Sequence, residues 1–196
     1  MKLTKQIIAV FILLIVVSAI YRIWDGRPYG FTPQIAMAIF AGAMIRDKKL
    51  AFLLPMLSMF LSDVLYQILY SAGLSDIKGF YPGMLENYIL IAGLICFGFL
   101  LKRPNALKIT GFSISGSLLF FLSSNFLVWI SGGGFQRPKT FEGLMLCYGD
   151  GLAFYRDYGL VNGFTGNLFL GDLFFSAILF GSFYLITRKN FSTSIA

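Results

Sequence analysis

Two aspartates stand where a chain can least accommodate them: Asp63 in "MFLSDVLYQILY" and Asp172 in "LFLGDLFFSAILFG". A carboxylate near the middle of a bilayer costs about 2.5–3.5 kcal/mol on insertion scales, so it faces a polar partner or water and not lipid. Helical spacing puts Met59, Tyr66, Gln67 and Tyr70 on the side of Asp63, which makes a polar stripe. Asp172 has Gly171 beside it and Ser176 one turn on. In "FFLSSNFLVW" Asn125 lies four residues from both Phe121 and Trp129, a face that can stack and hydrogen-bond. Asp63, Tyr66, Gln67, Asn125, Trp129, Tyr148 and Asp172 are therefore the candidate substrate-binding residues. Their chemistry is recognition of a polar solute, or proton carriage if burial raises the carboxyl pKa. No nucleophile–base pair, metal-ligand spacing or phosphate loop is visible, and the chain has no histidine. The expectation is a protein that is not an enzyme and holds no cofactor and no metal.

The elements that must position these residues are apolar helices. The chain has 196 residues, 57% hydrophobic and 13% charged, against about 45–50% and about 25% in ordinary globular domains. The excess sits in blocks near the length of a membrane span, roughly 20 residues. The reading is all-α, a polytopic transmembrane bundle forming one domain over residues 1–196. Helices are expected at Gln6–Ile23, Phe31–Ile45, Leu50–Tyr70, Met84–Leu101, Ile109–Ile130 and about Phe164–Thr187. The first is read as an uncleaved helix and not a secretory signal, because the apolar run continues to Ile23. Between the last two lies Ser131–Gly163, whose centre, Phe141–Tyr155, reads as a short re-entrant or interfacial helix. A seventh span is the alternative.

The charge pattern orients the bundle. With six spans and the N-terminus inside, the inner segments hold Lys2, Lys5, Arg46, Lys48, Lys49, Lys102, Arg103, Lys108, Arg188 and Lys189 against the single acid Asp47. The outer segments hold six basic and six acidic residues. Both termini are expected in the cytoplasm. The net charge of +7 is scattered in short clusters between apolar runs, which speaks for topology and against nucleic acid.

The order of motifs resembles the membrane-embedded substrate-binding (S) components of energy-coupling-factor transporters, and among them small bacterial transport proteins of unassigned substrate. The likeness rests on "GFTP" before "AMAIFAGAM", the basic turn "RDKK", then "LSD", "GFYPGMLENY", "NFLVW", "LMLCY" and "LGDLFFSAILFG". It covers about Gln6 to Thr187. The resemblance implies a six-helix bundle in a bacterial cytoplasmic (inner) membrane, capturing a small vitamin-like molecule from the outer side. It also implies docking to a transmembrane coupling protein driven by ATPases. S components commonly carry an Ala-xxx-Ala surface on the first helix, whereas "QIIAVFILLIVVSAI" has none; the nearest such pair is Ala38 and Gly42 on the second.

The expected function is binding and import of a small organic solute, with the bilayer, the solute and a coupling module as partners. The alternative is a structural subunit of a larger membrane complex. A 33-residue connection such as Ser131–Gly163 is far longer than the usual helix–helix loop of two to eight residues. It is expected to be an ordered lid over the outer mouth, hinged at Gly132–Gly134, with its aromatics, Phe135 and Phe141 among them, buried.

Overall fold

The computed structural model describes residues 5–28, 30–157 and 167–193. Seven helices are found there: α1 Lys5–Ile23, α2 Gln34–Met44, α3 Lys48–Ser71, α4 Met84–Gly98, α5 Ala106–Ser131, α6 Phe141–Asp157 and α7 Asn167–Thr193. The protein is an all-α, polytopic bundle. Among the described residues three helices, α3, α5 and α7, are long and apolar enough to cross a membrane.

α3 shows how such a helix is written. Leu53, Leu57, Phe60 and Ile68 are exposed along one side. Ser58, Ser62, Asp63 and Tyr66 are buried along the other. The polarity is inverted relative to a surface helix in water, as expected where lipid is the solvent. Asp47 starts the helix by accepting from Lys49 N and Leu50 N, and Asn105 does the same for α5 through Lys108 N. At the far end of α5, Gly132 adopts φ +79° and closes the helix with a left-handed turn.

α2 is the centre of the molecule. All residues from Gln34 to Gly42 are buried, and α3, α4, α5 and α7 pack around it. Its small residues make this possible: Gly42 lies against the backbone of α4 at Ile95 and Gly98, and a Cβ on Gly98 would stand 2.6 Å from Ile39 O. The sequence places this helix at Phe31–Ile45, but it begins at Gln34, after Pro33, whose ring fixes φ at a helix entry. At 11 residues it is only about 16 Å long, half the hydrocarbon thickness. α4 is also shorter than expected, ending at Gly98 instead of Leu101. Two short helices among long ones leave a recess at one end of the bundle, where α1, α3 and α5 finish. At the other end lie the tight turns Ile45–Asp47 and Phe99–Asn105.

Chain direction follows from four contacts. Ser113 Oγ donates to Ser176 Oγ at 2.6 Å, and Ser117 Oγ donates to Asp172 at 2.5 Å. α7 therefore runs antiparallel to α5. Phe31 packs on Gly171 and Phe40 on Phe180, so α2 and α7 run the same way. α6 packs on α5 alone among the helix pairs with substantial contact. Phe164, the expected start of the last span, and the end of the Ser131–Gly163 segment lie outside the described residues.

Candidate functional site

Arg22 ends α1, where the last carbonyls of a helix lack partners and a cation is favoured. Its guanidinium forms an ion pair with Asp63 and donates to Ser62 Oγ at 2.5 Å. The second oxygen of Asp63 accepts from Tyr88 Oη at 2.7 Å. The backbone oxygen of Arg22 is engaged as well, accepting from Tyr66 Oη at 2.7 Å and from Arg27 Nε at 2.6 Å. Asp63, only 1% exposed, thus serves to hold Arg22. Tyr66 stands under both arginines, with the Arg22 guanidinium 5.8 Å from its ring centre and Arg27 Nη2 3.4 Å from its oxygen.

Behind this knot lies a cavity of about 230 Å³ in the recess. Among the described residues, every helix of the bundle except α6 reaches it: Arg22 from α1, Gln34 and Ile35 from α2, Met59 from α3, Asn87 and Ile91 from α4, Phe120 from α5 and Leu168 from α7. Arg27, Gly30 and Thr32 complete it from the α1–α2 connection. Gln34 is 6% exposed, and neither its Nε2 nor its Oε1 has a hydrogen-bond partner among the described residues. An amide left so costs about 1–3 kcal/mol, which makes the spot a candidate point of contact for a bound molecule or water.

Asp172 is not in the cavity. It is 1% exposed and accepts from Ser117 Oγ and from the Ala36 N–H in the first turn of α2. Pro33 has no side-chain acceptor to cap that helix, so a carboxyl group from α7 does it, at the positive end of the α2 dipole.

Asn125, Trp129 and Tyr148 form a third group on the α5–α6 contact. Asn125 donates to Phe121 O in its own helix at 2.8 Å and lies against Gly151 of α6. Trp129 Nε1 donates to Pro138 O at 2.8 Å, and Tyr148 Oη to Leu122 O at 3.3 Å. Arg137 clamps Asp150 with two bonds of 2.8 Å. Those bonds hold the Asp150 carboxyl below its ordinary pKa. Gln67 is apart from all of these, its Oε1 accepting from Phe80 N at 3.3 Å.

The seven residues picked from the sequence therefore fall into separate places and not one pocket. Asp63 and Tyr66 support the cavity from behind, Asp172 caps its central helix, and the rest are peripheral. Arg22, Arg27 and Gln34 were missed as site residues. The readable signal was an arginine inside the last turn of an apolar helix and a glutamine heading a run of small apolar residues. The lid expectation needs correction in part. α6 is helical, but among the described residues it lines none of the cavity, and Phe135 and Phe141 are 74% and 78% exposed. A bilayer interface accepts such side chains without protein cover.

A larger cleft, about 630 Å³, lies at the opposite end between α5 and α7. It is lined by Ile109, Leu173, Ala177 and Phe180 with the Ser113–Ser176 pair at its base, and no charged side chain among the described residues faces it.

The sequence model of one family, described as "Family of unknown function (DUF6580)", matches residues 2–194. No curated protein and no solved structure matches the chain.

Proposed function

The chain belongs to the DUF6580 family, a family of unknown function, and from that premise we propose that it is a transport protein binding a small organic solute in the Gln34 cavity. One observation carries the reading: six helices converge on a cavity into which a buried amide projects with no partner among the described residues. A helix junction kept only for strength would fill that space or satisfy that amide.

In this reading the bundle crosses the membrane six times, with α2 and α4 as short central elements and α6 returning to the side it left. The antiparallel pairing of α5 and α7 supports it, since one further crossing between them would make them parallel. The basic turns Arg46–Lys49 and Lys102–Lys108 favour the tight-turn end as the cytoplasmic one. The cavity then opens outward, where a solute to be imported is met. The S component resemblance fits this arrangement, and the apolar α5–α7 cleft at the cytoplasmic end offers a coupling protein a surface.

That same cleft favours the second reading, a structural subunit whose partner helix seats between α5 and α7 and whose cavity binds nothing. Mass spectrometry of small molecules extracted from the detergent-purified protein separates the two. The solute reading expects a low-mass compound with the wild type that is lost in Ile91→Trp, where an indole fills the cavity. Identical extracts from both proteins would remove it.

A further inference from the structure

We infer that the solute is a small organic carboxylate, its anionic end held by Arg27 and Gln34 and its body lying on Ile91, Phe120 and Leu168. The inference rests on the reading of the cavity as a solute site and adds the chemical class.

Charge gives the first part of the argument. The cavity wall carries two guanidinium groups, Arg22 and Arg27. Arg22 is neutralised by Asp63, and the other ion pair among the described residues, Arg137–Asp150, lies elsewhere. Arg27 has no carboxylate within ion-pair reach there. Its guanidinium spends Nε on Arg22 O and one Nη2 hydrogen on Tyr66 Oη, which leaves three of about five donors without an acceptor among the described residues. Among those residues the site thus holds one positive charge more than it balances. A fork of planar donors at that charge suits a carboxylate, which accepts two parallel bonds from it.

Gln34 gives the second part. It is the first residue of α2, and its side chain enters the cavity at the positive end of that helix. The Nε2 donors, buried and unpaired, are further hydrogen-bond donors beside the spare charge. The helix dipole adds partial positive charge from the same direction.

The remaining wall decides between a bare oxyanion and an organic one. Beside Gly30, Thr32 and Asn87 it consists of the apolar Ile35, Met59, Ile91, Phe120 and Leu168. Inorganic phosphate would leave them against water or a vacant space. A compact carboxylate with an aromatic or branched body covers them.

Equilibrium dialysis of the full chain in a neutral maltoside detergent tests this with four probes: benzoate, benzamide, benzylammonium and inorganic phosphate. Benzoate is expected to bind at least about tenfold tighter than the other three. Arg27→Gln and Gln34→Leu are each expected to weaken benzoate about tenfold or more. Gln34→Leu should also leave the melting temperature unchanged or raised, because it removes an amide that bonds to nothing. That second readout separates lost binding from lost folding. Preference for benzylammonium or benzamide overturns the anionic assignment while leaving a solute cavity in place. Phosphate binding as tightly as benzoate overturns the organic body. A lower melting temperature in Gln34→Leu with benzoate binding intact makes the amide a structural, water-held group and overturns its role. Failure of all four probes overturns the carboxylate, and the extraction experiment then judges the cavity independently.

Discussion

The Arg22 guanidinium and the Asp63 carboxylate form an ion pair that ties the end of α1 to the middle of α3. Neither group could be left alone there. Asp63 is almost wholly buried, and its two oxygens are shared between Arg22 and the Tyr88 hydroxyl. Removing one partner of such a pair strands the other charge in a low dielectric, typically at about 3–5 kcal/mol. Asp63→Asn and Arg22→Gln should each destabilise the detergent-solubilised protein by about that much. The double variant Arg22→Met/Asp63→Leu should recover most of the loss, because no charge then remains buried. Unfolding curves of the three proteins check this. A double variant as unstable as the sum of the singles would mean the pair does more than neutralise itself.

The contact between α2 and α4 predicts a contrast among glycines. A Cβ on Gly98 meets Ile39 O and the Cα of Gly42, so Gly98→Ala must push two backbones apart. Its cost is expected at about 1–3 kcal/mol, the range for overpacking a filled core. Gly93, in the same helix, has open space where a methyl group would stand, with no atom within 4 Å. Gly93→Ala should stabilise by up to about 1 kcal/mol, since alanine loses less freedom in a helix. Thermal melts of both variants in one detergent decide it; equal effects would remove the close approach of α2 and α4 from the account.

Much of the fold was legible because apolar runs are local signals. The caps went unread: α3 begins at Lys48, after Asp47, and α5 at Ala106, after Asn105, both earlier than the expected Leu50 and Ile109. The burial of Asp63 and Asp172 was also legible, from the cost of exposing them to lipid. Their partners were not. Arg22 and Asp63 are 41 residues apart, and nothing in either segment points to the other. The shortness of α2 was hidden by "GFTPQ", which is apolar enough to extend a helix though Pro33 begins it. Since that shortness creates the recess, the cavity itself could not be read. The candidate residues were picked by polarity within apolar runs. That criterion found the groups that brace the cavity and overlooked Arg27, which sits in a loop.

Acid should loosen α6 selectively. Two hydrogen bonds from Arg137 keep the Asp150 carboxyl ionised below the usual carboxylate range. A group whose folded pKa is lowered contributes its stabilisation above the unfolded value, near 4, and loses it as pH falls through the folded value. Amide exchange across residues 141–153 should therefore accelerate below about pH 4, while α3 and α5 stay protected. Asp150→Asn should show the faster exchange at neutral pH and no further acid step. Exchange in α6 that ignores both pH and this substitution would leave the clamp without a role in docking α6 on α5.

The orientation of the whole bundle rests on α5 and α7. Ser113 meets Ser176 and Ser117 meets Asp172, a register possible only if the two helices run in opposite directions. In the proposed six-span arrangement the chain leaves α5 and enters α7 at the same side of the membrane. The tight turns at the other end carry Arg46, Lys48, Lys49, Lys102, Arg103 and Lys108 with one acid, Asp47, and short basic loops are retained in the cytoplasm. Reporter domains fused after Lys49, after Arg103 and at Ala196 should all read cytoplasmic. A reporter inserted after Gly133 should read outside. If the fusion at Ala196 reads outside while those at Lys49 and Arg103 read inside, α6 crosses the membrane. The recess that holds Arg27 and Gln34 would then need a new account of which solutes can reach it.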